Sequence, residues 1–459
     1  MTESDTIVAI ASAPGRGAVG VIRVSGPDVP DIAIAVLGKL PAARVARVAN
    51  FLDADGQPLD RGLALYFPAP ASYTGEHVLE LQGHGGAFVL DLLLQRLLQL
   101  SCRMARAGEF SERAFLNGKI DIAQAEAIAD LIDAGTSAAA RAAVRSMQGE
   151  FSAHIHALQA QITGLRTLVE AAIDFPDEEL DLVPGSLPGD RVENILTAFD
   201  AITAAARQGA LLREGLNIVI AGKPNAGKSS LLNRLVGDEI AIVTDQPGTT
   251  RDVLRQQVHL DGLPLNLIDT AGLRTTADVV EAEGVRRAFA ELGRADRVLY
   301  ILDAAAANSP NAVSAGGGAA DLAAELKDLP SGVPVTLVFN KIDLVGAPAS
   351  ADEIQEPPQV FLSAKTGEGL DLLRAHLQAR AGYRSGDAGA LSARRRHLDA
   401  LERARSCVVQ AADTLSKSRA FELFAEDLRR AQLALGEITG EFSSDDLLGE
   451  IFSSFCIGK

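Results

Sequence analysis

Tryptophan is absent from the 459 residues, aromatic residues make up 4%, and cysteine occurs only at Cys102, Cys407 and Cys456. So few rings leave little platform on which the bases of a single-stranded nucleic acid could stack. Three scattered cysteines make neither a disulfide framework nor a metal-ligand spacing, so a reduced, cytoplasmic setting is expected. Positive charge is also short: 43 Lys and Arg stand against 60 Asp and Glu, a net charge of −17. That argues against unaided binding to nucleic acid, because Lys and Arg must supply the phosphate contacts. An RNA substrate would need a basic partner or a local patch. No apolar run is long enough to span a bilayer. The stretch Met1–Ala13 carries Glu3 and Asp5 and no basic segment, unlike a signal peptide.

What is present is a chain of 47% hydrophobic residues, too long for one core, so two or three folded domains are expected. Residues 1–119 alternate short β-rich runs (Thr6–Ala11, Ala18–Val24, Gly62–Phe67, Val78–Leu81) with glycine-containing turns, then a helix over Ala87–Leu100. Residues 120–214 turn helical, with Leu158, Ile162, Leu165 and Val169 on one face. Residues 215–381 alternate strands and helices, the pattern of a mainly parallel sheet. Residues 382–459 are helical again, with Phe424, Leu428, Ala431, Leu435 and Ile438 in phase. The fold class expected is therefore multidomain α/β plus α: an N-terminal α/β domain and a discontinuous helical domain into which a nucleotide domain is inserted. Two separate helical domains are the alternative. Ala304–Ala320, rich in Ala and Gly, reads as a flexible surface loop.

The strand-like run Leu216–Ala221 leads into Gly222-Lys-Pro-Asn225-Ala226-Gly227-Lys228-Ser229-Ser230. Such a loop turns backbone N–H groups around phosphate oxygens and aims a helix N-terminus at them. Lys228 is expected to reach the β- and γ-phosphates, and Ser229 to ligate Mg²⁺. Next come Asp269-Thr270-Ala271-Gly272 after an apolar run, Asn340-Lys341-Ile-Asp343 after the strand Val335–Phe339, and Ser363-Ala364-Lys365. Asp343 can accept from both N1–H and the 2-amino group of guanine, donors that adenine lacks; a half-paired carboxylate would be costly. Four ordered elements predict a GTP site. Between the first two lies Thr244-Asp245-Gln246-Pro247-Gly248-Thr249-Thr250-Arg251, from which Thr250 is expected to complete the Mg²⁺ shell.

The position after Gly272, where Ras-type GTPases usually carry a water-orienting Gln, holds Leu273. With Asn225 and the Gly-Thr-Thr-Arg element, the loop resembles those of GTPases stimulated by a monovalent cation. That resemblance implies K⁺ bound by Asn225, Thr249 and backbone carbonyls near Thr244 and Gln246; the bland alternative is an ordinary loop braced by Asn225. Gln246-Pro247 departs from the usual small or aliphatic pair.

Further segments carry a resemblance over the whole chain. They are Pro-Gly-Arg-Gly at 14–17, Ser-Tyr-Thr-Gly-Glu at 72–76, Leu-Glu-Leu-Gln-Gly-His-Gly-Gly at 79–86, Gly-Glu-Phe-Ser-Glu-Arg-Ala-Phe at 108–115 and Phe-Cys-Ile-Gly-Lys at 455–459. The sequence resembles the bacterial tRNA-modification GTPases of the MnmE (TrmE) family. This implies a folate-binding, homodimerising N-terminal domain and a potassium-stimulated GTPase that acts with a flavin-containing (FAD-dependent) MnmG-type partner in a heterotetramer. Together they would add an aminomethyl-type (carboxymethylaminomethyl) group to C5 of the wobble uridine of certain tRNAs. The carbon would come from a tetrahydrofolate derivative in its 5-formyl or methylene form, and tRNA would be held mainly by the partner. By motif, Arg23, Glu80, Lys119 and Lys459 match folate-contacting positions, and Glu281 matches a residue that orients the hydrolytic water. Without the resemblance, Arg23, Glu80 and Glu281 would read as surface charges. The alternative from another class is a regulatory or ribosome-assembly GTPase without folate chemistry.

Other features are weaker. Cys456 lacks an adjacent His to lower its pKa. His154 and His156, two apart on a helix, face different ways. His84 reads as a turn or pocket residue, the acidic run Asp174–Asp181 as a solvated helix start, and Arg251 and Arg274 as structural pairs.

Overall fold

Short runs of Val, Ile and Leu broken by Gly, Pro and Ser build a sheet in the first part of the chain. The computed structural model describes residues 5–174, 188–237, 255–269, 295–307, 332–383, 389–418, 420–441, 445–453, 455 and 458. Two compact units result: residues 1–129, 146–199 and 399–459 form one, and 130–145 with 200–398 form the other.

The chain begins with β1 (Thr6–Ile10), β2 (Gly17–Ser25), α1 (Val29–Leu37), β3 (Arg47–Leu52), β4 (Pro58–Phe67), β5 (Val78–Gly85), α2 (Ala87–Leu98), β6 (Cys102–Met104) and α3 (Glu109–Leu116). The strands form one sheet in the order β3-β4-β5-β2-β1-β6. Among the described strand pairs of this sheet, only β1–β6 is parallel. Alternate residues of a strand face opposite sides: Val8 joins Ile22, Phe51 and Leu81 in a core with α1 and α2, while Ile7 and Ala9 pack with Ala105 and Phe110. His84 lies within β5, not in a turn, because its flanking glycines continue the pairing with β2.

Four helices follow: α4 (Ile122–Ile132), α5 (Ser137–Met147), α6 (Glu150–Asp174) and α7 (Pro188–Glu214). The α6 residues Leu158, Ile162, Leu165 and Val169 are all buried, as their spacing predicts.

The second sheet uses β7 (Leu216–Gly222), β8 (Arg255–Leu260), β9 (Leu263–Asp269), β10 (Arg297–Asp303), β11 (Val335–Asn340), β12 (Ser350–Asp352) and β13 (Gln359–Phe361). Its order is β12-β13-β11-β10-β7-β9-β8; the five central strands are parallel and the two edges antiparallel. Strands covered on both faces read as continuous apolar runs. In β7, Ile218 and Ile220 enter one core while Val219 and Ala221 enter the other. Helices α8 (Lys228–Gly237), α9 (Ala304–Ala307) and α10 (Ile342–Val345) lie between these strands in the chain, and α11 (Leu370–Ala381) follows the last of them. Ala304–Ala307 corrects the loop expected at Ala304–Ala320: the four alanines form a helical turn with Ala304 buried. Good helix formers, and an Asp303 carboxylate that accepts the Ala305 N–H, account for it. Residues 308–320 lie outside the described residues.

The chain ends in α12 (Arg395–Ser418), α13 (Phe421–Thr439) and α14 (Asp445–Ser453). α13 packs along α6, and Phe424, Leu428, Ala431, Leu435 and Ile438 are buried.

Candidate functional sites

Parallel α/β sheets bind ligands beyond the carboxyl ends of their strands. Here β7 ends at Gly222, β9 at Asp269, β10 at Asp303 and β11 at Asn340. After β7 the chain turns through Asn225, at φ 65, into α8. Two glycines make the turn possible. A side chain at Gly222 (φ 138) would strike the Ile301 carbonyl at 2.3 Å, and one at Gly227 (φ 96) would strike Asn340 Nδ2 at 2.2 Å. Lys228 Nζ donates to the carbonyls of Gly222 (2.9 Å) and Lys223 (2.8 Å), which folds the ammonium over the loop. Ser229 and Ser230 are exposed in the first turn of α8, and Ala226 is buried beneath the loop.

Asn340 ties the site together. It is buried, its Nδ2 donates to the Ala226 carbonyl at 3.0 Å, and its Oδ1 accepts from the amides of Lys341 (2.8 Å) and Ala364 (2.9 Å). One amide side chain thus spans three sequence-distant segments. Ser363 Oγ donates to Asp343 Oδ1 at 2.6 Å and accepts the Thr366 N–H at 3.2 Å, which orients an otherwise exposed carboxylate. Beneath them Phe339 stacks on Phe361 with centroids 4.6 Å apart, fixing β11 against β13. Lys341 Nζ pairs with Asp303 at 2.7 Å, a partner no motif pointed to. The structure therefore brings together Asn225–Ser230, Asn340, Lys341, Asp343 and Ser363–Lys365, with Asp269 at a neighbouring strand end. Thr244, Asp245, Gln246, Pro247, Gly248, Thr249, Thr250, Arg251, Thr270, Ala271, Gly272, Leu273, Arg274 and Glu281 lie outside the described residues.

A second cluster occupies the six-stranded sheet. Arg23 on β2 sits opposite Glu80 on β5, and its Nε donates to Glu80 Oε1 at 2.9 Å. The guanidinium lies 5.8 Å from the centroid of the Tyr73 ring and 5.7 Å from that of Phe110. Tyr73 hydrogen-bonds Ser111 at 2.8 Å; burial raises its hydroxyl pKa, against the opposing pull of Ser111 and Arg23. Lys119 is exposed, and its Cε lies 3.2 Å from where a Gly75 side chain would begin. The backbone of Gly458 abuts the Ile10 carbonyl, so the chain's last described residue reaches the end of β1; Lys459 and Cys456 are outside the described residues.

A charged network explains the segments 72–76 and 108–115. Ser25 bonds Thr74 and Glu76, both at 2.7 Å, and Arg113 reaches Glu76 (3.0 Å), Asp5 (2.7 Å) and Glu109 (3.2 Å). Burial would raise the Glu109 carboxyl, but Arg103, the Arg106 amide and Arg113 outweigh it and hold the group at about 2. Neither described cysteine is a ready nucleophile. Burial pushes Cys102 up to about 12 and raises Cys407 as well. His154 and His156 are both exposed on α6, and among the described residues no His, Cys, Asp and Glu cluster suits a metal ion.

A sheet with parallel centre, a glycine-dependent phosphate loop and a braced Asn-Lys-x-Asp turn at its strand ends defines a P-loop GTPase. Comparison with known proteins supplies the particular kind. Residues 6–119 match the family model for the GTP-binding protein TrmE N-terminus, and residues 122–456 match that for the MnmE helical domain. The chain belongs to the tRNA modification GTPase MnmE family. It is 56% identical to tRNA modification GTPase MnmE of Methylococcus capsulatus, over 100% of this chain and 99% of that one. Identity to the protein of the same name is 55% in Yersinia pseudotuberculosis and 54% in Sodalis glossinidius, over 100% of both chains in each case. A solved G domain of the FeoB iron transporter of T. maritima is 29% identical, covering 36% of this chain and 98% of that one; its TM-score is 0.26, and the assignment does not rest on it. The chain is a GTPase of tRNA modification, which displaces the regulatory or ribosome-assembly alternative.

Proposed function

We propose that GTP hydrolysis in this protein serves the attachment of an aminomethyl-type group to C5 of the tRNA wobble uridine, with carbon from a tetrahydrofolate derivative. Guanine would be read by Asp343, and the observation that carries this is the Asn340 side chain, which joins Ala226 to Ala364. In this reading Lys228 leaves its two carbonyls for the β- and γ-phosphates. The exposed hydroxyl of Ser229 suits Mg²⁺, with Thr250 as its second protein ligand; bound Mg²⁺ would offset phosphate charge. Asn225, exposed and held at φ 65, suits a K⁺ ion shared with Thr244, Gln246 and Thr249. With Leu273 where a Gln would stand, Glu281 would orient the water.

Folate would bind beside Arg23, Glu80 and Lys119, with Lys459 as a further contact. The cluster offers what a pterin and a carboxylated tail require: a carboxylate for the amino-pyrimidine edge, cations for the anions, and the Tyr73 and Phe110 rings alongside. The net charge of −17 supports a division of labour in which a flavoprotein partner holds the tRNA. Homodimerisation through the N-terminal domain fits the exposed Val19 on β2 and Phe88 on α2. Calorimetric titration of the full-length protein with 5-formyltetrahydrofolate tests the central step: saturable binding lost in Glu80→Gln is expected, and no heat from any tetrahydrofolate species would reject it.

A further inference from the structure

Asp303, the last residue of β10, belongs to none of the phosphate, metal or base motifs, yet it is joined to the base-reading turn. Its Oδ1 accepts the Ala305 N–H at 2.9 Å, and its Oδ2 accepts from Lys341 Nζ at 2.7 Å. β10 and β11 are parallel neighbours with Asp303 directly opposite Asn340, so the ion pair bridges two strand ends. The side chains of Lys341 and Asp303 are 30% and 27% exposed, a setting in which water weakens the attraction without abolishing it.

Lys341 gives the pair a task. Its backbone takes φ 67, a left-handed conformation that is unfavourable for a residue other than glycine and so needs support from its surroundings. The turn made there sets the direction of α10, and with it Asp343. The stem of Lys341 runs beside the phosphate loop, its Cε 4.0 Å from where a Gly227 side chain would begin. A lysine stem left untethered would sample many rotamers, and nucleotide binding would have to order it.

We propose that Asp303 is a positioning residue for GTP. By holding the Lys341 ammonium, it keeps the lysine stem along the phosphate loop and the Lys341 turn set, so that Asp343 meets the guanine edge in a prepared geometry. Asp303 acts through Lys341 and does not itself contact nucleotide. The inference rests on the assignment of Asn340–Asp343 to guanine reading.

The test uses the full-length protein and a fluorescent GDP analogue. Asp303→Asn and Asp303→Ser both keep an oxygen acceptor for the Ala305 N–H and both remove the charge. Each is expected to raise the Kd about 2- to 5-fold, the range of a partly exposed ion pair. KM for GTP should rise in step with unchanged kcat, a split that general loosening of the fold would not produce. In a Lys341→Met background the same replacements should have no further effect. Unchanged affinity in both Asp303 variants would overturn the proposal, as would an equal loss with and without Lys341, which would assign the effect to the Ala305 cap. Asp343→Asn and Lys341→Met separate the two levels. If both bind like the native protein, the guanine assignment fails; if both lose affinity while the Asp303 variants do not, only the role of Asp303 fails.

Discussion

The base-reading turn of one sheet and the Arg113 network of the other use polar groups differently. At the base-reading end of the seven-stranded sheet, Asn340 grips backbone at Ala226, Lys341 and Ala364, and Ser363 aims an exposed Asp343 outward. Around the six-stranded sheet, charges grip one another. Glu109, with a side chain 2% exposed, and Arg113, 10% exposed, bind Asp5, Glu76 and Arg103 in a closed network. The first arrangement leaves recognition groups facing solvent at modest cost to stability. The second commits buried charges to the fold, where losing one partner strands another. Position in a network, more than charge itself, separates a recognition residue from a structural one.

The largest effect should come from the recognition side. Asp343→Asn should move preference from GTP to xanthosine triphosphate, with kcat/KM for GTP down about 10³-fold or more, because a site built for a hydrogen-bonding edge rejects its mismatch strongly. Steady-state rates with both nucleotides check this, and thermal unfolding should scarcely change. The converse is expected of Arg113→Met, which leaves Glu109 and Glu76 without their shared partner. It should cost about 3–5 kcal/mol of stability by denaturant unfolding.

Acid should then separate the sheets. Buried His376 bonds Thr336 at 2.9 Å and also contacts Glu353; Arg297 donates to Thr336, and Arg380 binds Glu353. Burial lowers the His376 pKa below its usual 6.5, Glu353 opposing this and Arg297 and Arg380 adding to it. A depressed folded pKa means the contribution of His376 is complete above pH 6.5 and eroded as pH falls below that value. Glu109, at about 2 against an ordinary 4.5, keeps its contribution down to pH 4.5 and loses it between 4.5 and about 2. Calorimetry between pH 7 and 5 should therefore show the transition that reports on the seven-stranded sheet weakening first, and His376→Asn should reduce that dependence, leaving the part due to His259 on β8, whose pKa burial also lowers. The smallest effect belongs to Arg403–Glu437, whose side chains are 55% and 39% exposed: Arg403→Ala should cost under about 1 kcal/mol.

How much of this was legible in the sequence depended on contact range. The phosphate loop, Asn340–Asp343 and Ser363–Lys365 are contiguous motifs whose side-chain roles are written in a few residues, and the helical faces of α6 and α13 follow from local period. Contacts made by strand register were not legible. Arg23 and Glu80 are 57 residues apart, and Asp303 and Lys341 38 apart, joined only because β2 pairs with β5 and β10 with β11. The helix α1 is not legible in the sequence for a different reason. Its Ile32-Ala-Ile34-Ala alternates like a strand, although Val29, Ile32, Ala33, Val36 and Leu37 form its buried helical face. The motifs at 72–76 and 108–115 were visible as family signatures, but that they meet through Arg113 and Glu76 emerges only from the fold.

The central claim is that guanine reading in one sheet drives RNA chemistry that depends on the other. Mass spectrometry of wobble nucleosides from cells whose only copy carries Asp343→Asn tests it most directly. Loss of the C5 modification is predicted, although the Arg23–Glu80 cluster is untouched by the substitution. Wobble uridines modified at the native level would contradict the account.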